Sequence, residues 1–299
     1  MGVLITGATG LVGSQLVDRL AADRTVFAGV RRPAETEFER ATPVELQLGR
    51  HGLETTLDWT RVDTVVHTAA YTDAHESVDE PLRCFGVNAT GTAAILEAAR
   101  SASVDHVVAL SSYHVYDGSQ TGRLSESAAT DAGTPYAASK LAADAQCCAY
   151  DRQYDMTVSI VRPFNVYGPG GRSHQVVPSF ISQALSDGVI EPYPGNPVRD
   201  FLYVDDLCDA IVAVLEREVS GPLNVGQGTG TSINELAETV ASVAEAHTDR
   251  PVRVIHEGDL EPTDPTIADP SRIERELNWT AETTLSDGLN QTITHERTR

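Results

Sequence analysis

The sequence predicts an α/β protein: a doubly wound parallel sheet with a smaller C-terminal lobe built over the carboxyl ends of its strands. Three observations carry this. Short β-branched runs alternate with helical stretches through the first half of the 299-residue chain, the pattern of a parallel sheet covered on both faces. A glycine turn, "TGATGLVG", separates the first run from the first helical stretch. Beyond Pro163 the texture changes to Gly- and Pro-rich segments, "FNVYGPGGRSHQ", "EPYPGNPVRD" and "HEGDLEPTDPTIADP", which suit pocket-building loops better than continuous sheet.

The expected strands are Val3 to Thr6, Thr25 to Val30, Val44 to Leu48, Thr64 to Thr68, His106 to Leu110 and Thr157 to Arg162. Between them "GSQLVDRLAAD", "NATGTAAILEAARSA" and "YAASKLAADAQCCAYDRQY" have helical periodicity. The expected organisation is a Rossmann-like dinucleotide-binding domain over 1–165, with 201–228 returning to it, and a substrate-binding lobe from 166–200 and 229–299. No internal repeat or low-complexity tract interrupts this pattern.

A hydrophobic content of 41% is ordinary for a globular chain. The formal net charge of −21 repels nucleic acid and anionic membrane surfaces. An anionic small substrate stays compatible, because a few local arginines can reverse the field inside a cleft. With no basic leader and no apolar run of membrane-spanning length, a soluble, cytoplasmic protein is expected. Four cysteines, Cys84, Cys147, Cys148 and Cys208, lack ligand-like spacing and read as reduced core fillers, so no metal is expected.

The turn places Gly7, Gly10 and Gly13 where a backbone must bend sharply, approach a diphosphate and let helix pack on strand. The helix N-terminus then faces the phosphate charge. The second strand is followed by Arg31 and Arg32, where an acidic residue would accept ribose hydroxyls of NAD and an arginine pairs with the extra phosphate of NADP. NADP(H) is therefore the expected cofactor, with NAD(H) as the alternative.

The chain uses 21 arginines and one lysine, Lys140, four residues after Tyr136. That spacing puts both on one helix face. A fixed ammonium favours the phenolate of a nearby tyrosine, and its compact donors can also hold ribose hydroxyls. A hydroxyl should complete the set, and Ser111 and Ser112 both follow a strand at the carboxyl edge of the sheet.

These residues together resemble the extended short-chain dehydrogenase/reductase family of nucleotide-sugar epimerases, dehydratases and ketoreductases. "TGATGLVG" is similar to its cofactor loop, "HTAAYTDA" to its fourth-strand motif, "VNATGT" to the helix of its structural asparagine, and "SSYHVYDG" and "YAASK" to its catalytic segments. The resemblance implies Ser112, Tyr136 and Lys140 as catalytic residues. It places the cofactor against Gly7, Thr9, Gly10, Leu11, Val12, Gly13, Arg31, Arg32, Thr68, Ala69, Ala70, Asn88, Tyr136, Lys140 and Pro163. In the second lobe "RPFNVYGPG" and "RDFLYVDDL" resemble substrate-side motifs, which implies Asn165 and Arg199 as contacts to the phosphates of a nucleotide sugar, with Tyr71 and Ser112 of the first-lobe motifs also expected at the substrate.

Departures narrow the reaction. Where the 4,6-dehydratases usually carry Asp-Glu after the catalytic hydroxyl, this chain has Tyr113-His114. Where UDP-hexose 4-epimerases usually carry an arginine pair before the last "GD", it has Ile255-His256. The leading expectation is a nucleotide-sugar 4-epimerase working by hydride transfer at C4. An NADPH-dependent 4-keto-6-deoxysugar reductase is the alternative, and a non-catalytic dinucleotide-sensing regulator a remote one. The family resemblance also implies a homodimer through a four-helix bundle.

The acidic surface and near-absence of lysine also resemble halophilic proteins, although an arginine-biased genome would give the same lysine count. On the halophilic reading self-repulsion goes unscreened at low salt. The melting temperature should therefore rise between low and molar KCl; an unchanged value would refute the halophilic reading.

Overall fold

The computed structural model describes residues 2–49, 51–248, 250–256 and 260–298. In chain order its strands are β1 (Gly2–Thr6), β2 (Thr25–Val30), β3 (Ala41–Gly49), β4 (Gly52–Thr55), β5 (Thr64–His67), β6 (His106–Leu110), β7 (Gly122–Leu124) and β8 (Thr157–Pro163). They continue as β9 (Asn165–Tyr167), β10 (Val189–Ile190), β11 (Pro197–Arg199), β12 (Phe201–Tyr203), β13 (Gly221–Val225), β14 (Thr231–Ser232), β15 (Arg253–Val254) and β16 (Thr263–Ala268).

The main sheet runs β13-β8-β6-β5-β1-β2-β3-β4, parallel throughout except for the terminal β3–β4 hairpin. β1 is buried along its whole length, as a strand covered on both faces must be. It pairs with β2 on one side and β5 on the other. The chain winds outward from β1 to β3, then returns to β5 and winds the other way. The crevice at the carboxyl ends of β1 and β5 is therefore the topological switch point, where open α/β sheets bind ligands. The expected strands fall within one residue of those observed except the third, which is longer at both ends; its partner β4 is too short to show a period in sequence.

Helices α1 (Leu11–Leu20), α2 (Glu76–Asp79), α3 (Pro81–Phe85), α4 (Gly91–Ser101) and α5 (Pro135–Gln153) belong to the first half. They are followed by α6 (Val176–Ser186), α7 (Val204–Arg217), α8 (Ile233–Glu245), α9 (Ser271–Leu277) and α10 (Leu285–Arg297). On one sheet face Leu16, Val17, Leu207, Ile211, Leu236 and Ile293 join Val3 and Ile5 in one core. On the other, Ile95, Leu96 and Cys147 pack on Leu4, Val65 and Ile160. Each fully buried side chain of this size contributes about 1.5–3 kcal/mol.

Beyond β8 the chain makes only short strands. β12 pairs with β9 and β10 with β15, while β14, β11, β16 and β7 form a small mixed sheet. β13 returns to the edge of the main sheet beside β8, from Gly221↔Ser159 to Val225↔Pro163.

Asp200, between β11 and β12, ties these pieces together. Its carboxylate accepts from the amides of Gln227 at 2.9 Å, Gly228 at 2.9 Å and Ala268 at 3.1 Å. It is fully buried, and burial pushes its carboxyl up to about 6 despite the three amides. Asp200→Ala strands those donors, and unsatisfied buried donors cost about 1–3 kcal/mol each. The variant should lose roughly 2–5 kcal/mol in urea unfolding; a loss under about 0.5 kcal/mol would mean that solvent replaces the carboxylate.

Candidate active site

The glycine turn lies in the crevice after β1. Gly7 has φ 68°, and a Cβ there would sit 2.8 Å from the backbone of Ala69, so only glycine fits beneath the loop after β5. A Cβ on Gly13 would stand 2.2 Å from the carbonyl oxygen of Gly7, so α1 packs directly on the turn. Gly10 caps α1 without a side-chain hydrogen bond, leaving first-turn amides for an anion. Thr9 and Gly10 are exposed, and Leu11 and Val12 are half-buried beside them. These features fit the diphosphate of a dinucleotide. The Thr68 hydroxyl donates to Thr6 O at 2.6 Å and Ala69 N donates to Thr6 Oγ1 at 3.1 Å, which fixes the opposite wall carrying Ala70. Pro163 ends β8, buried against Val225 of β13.

Arg31 and Arg32 are exposed past β2, and Arg32 pairs with Glu35 at 3.1 Å.

Helix α5 begins with Thr134 accepting from Ala137 N, and Pro135 occupies its first turn. Its buried face carries Tyr136, Lys140, Ala143, Asp144 and Cys147, a half-polar stripe at helical period aimed at the carboxyl edge of the sheet. The Lys140 ammonium donates to Leu110 O at 2.7 Å, and burial brings it down to about 8. Burial pushes the Tyr136 phenol up to about 12, opposed by the nearby Ser112 hydroxyl. Of the two candidate serines the structure puts Ser112 beside Tyr136; Ser112 Oγ also accepts from His114 N at 3.2 Å. Burial raises the Asp144 carboxyl, opposed first by Arg162 and then by Ser111, whose Oγ makes no well-formed hydrogen bond.

Asn88 sits in a π-helical turn, 86–90, between α3 and α4, a rare element often found at functional sites. Its amide is spent on the protein. Oδ1 accepts from Tyr71 N at 2.8 Å, while Nδ2 donates to Tyr71 O at 2.9 Å and Ser139 Oγ at 2.9 Å. Ser139 in turn donates to Tyr136 O at 2.7 Å. In the other direction Thr92 Oγ1 donates to Asn88 O at 2.5 Å and bonds His67 at 3.1 Å, and His67 bonds Thr6 Oγ1 at 2.7 Å. One hydrogen-bonded spine thus runs from the glycine turn to the tyrosine. Sequence reading named its ends and Asn88 but missed His67, Thr92 and Ser139, which look like ordinary strand and helix residues.

On the substrate side Tyr113 donates to Asn165 Oδ1 at 3.0 Å, and Asn165 Nδ2 donates to Asp200 O at 3.0 Å. Arg199 donates to Val198 O and Asp264 O at 2.9 Å and 2.8 Å. His114 stands edge-on to Tyr136, ring centroids 5.6 Å apart. It is exposed at the cleft mouth, yet desolvation by the surrounding walls, then Arg199 and His75, bring it down to about 4. The Tyr71 ring packs with Tyr136 and Cys84. His256 pairs with Glu238 at 2.6 Å; the "GD" of the last motif lies outside the described residues. Asp144, one turn beyond Lys140, was also missed, although an acid at that helical spacing is itself a signal.

This geometry can be set beside known proteins. Residues 3–226 match the NAD dependent epimerase/dehydratase family. The chain belongs to that family. It is 32% identical over 98% of its length to UDP-glucose 4-epimerase of Mycolicibacterium smegmatis, covering 97% of that protein. It is 30% identical to UDP-glucuronate 4-epimerase of Thermodesulfobacterium geofontis, over 81% of this chain and 74% of the relative. Among solved structures it resembles MoeE5 in complex with UDP-glucuronic acid and NAD, with TM-score 0.83 and 30% identity over 100% of this chain and 99% of that one. Family members of this kind are NAD-dependent enzymes, and no helix among the described residues is long and apolar enough to cross a membrane.

His67 stays neutral. Burial first, then the Lys140 charge, bring it down from 6.5 to about 3. Its folded-state affinity for a proton is lowered, so the stability it contributes is present above pH 6.5 and is lost as pH falls toward 3. Urea unfolding should show wild-type stability dropping from pH 7.5 to 5, and His67→Asn should flatten that dependence. Parallel curves would place the acid sensitivity elsewhere.

Proposed function

We propose that this protein is an NAD-dependent nucleotide-sugar 4-epimerase. The observation that carries the reading is that α5 presents Tyr136 and Lys140 one turn apart on its buried face, with the Lys140 ammonium on Leu110 O at 2.7 Å and the Tyr136 ring 5.6 Å from that of His114, two residues past Ser112. Bound NAD would supply a hydride acceptor and a positive ring that stabilises a nearby phenolate. The lobe of 166–200 and 229–299 would hold the sugar nucleotide, with Asn165, Arg199 and Tyr71 on its walls.

In this scheme Tyr136 takes the proton of the C4 hydroxyl and later returns it. Ser112 polarises the same oxygen, and Lys140 anchors the ribose side while adding positive charge. Tyr113 and His114 put no carboxylate where elimination of water would need one. Hydride return to the opposite face of the 4-keto sugar is then the remaining exit.

NADP(H), the sequence expectation, finds no support. MoeE5 was solved with NAD, and Arg32 is engaged by Glu35. The reductase alternative, favoured in the sequence by Arg31 and by the segments "AAYTDA" and "VYDG", gains no support from the relatives named above. A homodimer joined through α4 and α5 fits the family but stays a separate proposal.

Incubation with UDP-hexoses and UDP-hexuronates, followed by NMR and by absorbance of reduced cofactor, tests the reading. The expected outcome is interconversion of 4-epimers without net cofactor turnover, reduced about 10²–10⁴-fold in Tyr136→Phe. Stoichiometric NADPH consumption with a 4-keto sugar would establish a reductase instead.

A further inference from the structure

The group that α5 presents beyond Lys140 has no assigned task. Asp144 follows Lys140 by one turn on the same buried face. Its Oδ2 accepts from Arg162 Nε at 2.9 Å, and Arg162 reaches on to the hydroxyl of Tyr116 at 3.0 Å, which donates to Asn224 Oδ1 at 2.6 Å. Lys140, Asp144 and Arg162 are only 6%, 4% and 6% exposed. Two cations and one carboxyl group are thus buried in neighbouring positions, the carboxylate bonded to Arg162 and one helical turn from Lys140.

The surroundings offer Lys140 no other compensation. The polar groups facing it are Asp144 and Cys147 from α5 and Cys84 from α3, with His67 on β5 and the carbonyl of Leu110 on β6. Burial raises both thiols and keeps His67 neutral. Tyr136, one turn earlier, is held as a phenol. Arg162 on β8 and Ser111 act through Asp144. Asp144 is therefore the one carboxyl group facing Lys140; burial raises it, and Arg162 first, then Ser111 and Lys140, oppose that rise and favour its charged form.

We propose that Asp144 is a positioning residue for the reaction: its carboxylate, bonded to Arg162 and one helical turn from Lys140 on the same buried face, favours the ammonium form of the lysine that donates to the β6 carbonyl. Arg162 tunes this by competing for the same charge. In a purely structural role the pair would only brace α5 against β8. The two roles differ in sign. Removing the carboxylate must make Lys140 easier to deprotonate, whereas removing the guanidinium must make it harder, because the repulsion goes and the carboxylate is no longer shared.

The inference rests on Lys140 serving the proposed reaction, but its test reads the lysine without substrate, so each can fail alone. Lys140 is the sole lysine of the chain, so full-length protein labelled with [ε-13C]lysine gives one side-chain resonance that can be titrated directly. The wild-type midpoint should fall near 8, where burial opposed by Asp144 puts it. Asp144→Asn should lower it by about one unit or more, Arg162→Met should raise it, and Asp144→Glu should stay within about half a unit of wild type. Should Asp144→Asn unfold, its resonance will titrate near the free-lysine value of about 10.4; the signs for Arg162→Met and Asp144→Glu then decide. Equal midpoints in wild type and the folded variants, or shifts of one sign for both charge removals, would overturn the proposal.

Discussion

A lone ammonium group buried at the carboxyl edge of a parallel sheet is the constraint around which this molecule is arranged. Taking a cation out of water costs several kcal/mol unless it finds partners. Here the compensation comes from Leu110 O on β6 and from Asp144 one turn along α5, while Arg162 on β8 fixes that carboxylate and competes for its charge. The compensation exists only while those three hold their relative positions. The packing of α5 on the sheet and the charge state of the site are therefore one property. Breaking a buried ion pair by deleting one partner costs about 3–5 kcal/mol, so the same residues that condition Lys140 also resist any sliding of α5.

The second dependence is geometric. Gly7 and Gly13 let α1 and the loop after β5 close onto β1, and this brings Thr6 under the loop. From there His67, Thr92, Asn88 and Ser139 carry hydrogen bonds to the backbone of Tyr136. Each member is buried, and a buried polar group left unpaired costs more than its bond gains when made. The chain of bonds therefore stands or falls together, and cofactor loop and proton-transfer group share one scaffold.

Most of this frame was legible in sequence because parallel strands and glycine turns leave local marks. β1, β2 and β6 follow from β-branched runs, and the Tyr136–Lys140 spacing fixes a shared face. What escaped is what depends on three dimensions. Whether Ser111 or Ser112 meets Tyr136 is decided by the turn after β6; the direction of the Lys140 ammonium, by a carbonyl on another strand. Arg31 and Arg32 show the limit of position alone: it suggested the extra phosphate of NADP, whereas the related MoeE5 was solved with NAD and Arg32 pairs with Glu35 at the surface. Asp200 is unremarkable in sequence, and its three amide partners lie on distant segments.

The substrate side shows how such a site can choose an outcome without new catalytic groups. Asp200 fixes the short strands, and through Asn165 and Tyr113 the cleft wall is joined to the turn that bears Ser112. At that wall Tyr113 stacks on Phe164 with centroids 5.2 Å apart, and its hydroxyl is occupied by Asn165. His114 is brought down to about 4 by its surroundings, which makes it a feeble base at neutral pH. On the proposed reading a ketone formed at C4 would meet Tyr136 as its proton-transfer group, with Tyr113 and the neutral His114 at the position after the catalytic hydroxyl. On the epimerase reading, specificity for hydride return comes from what these two positions withhold: aromatic surface shapes the cleft, and the absence of a carboxylate there closes the competing elimination.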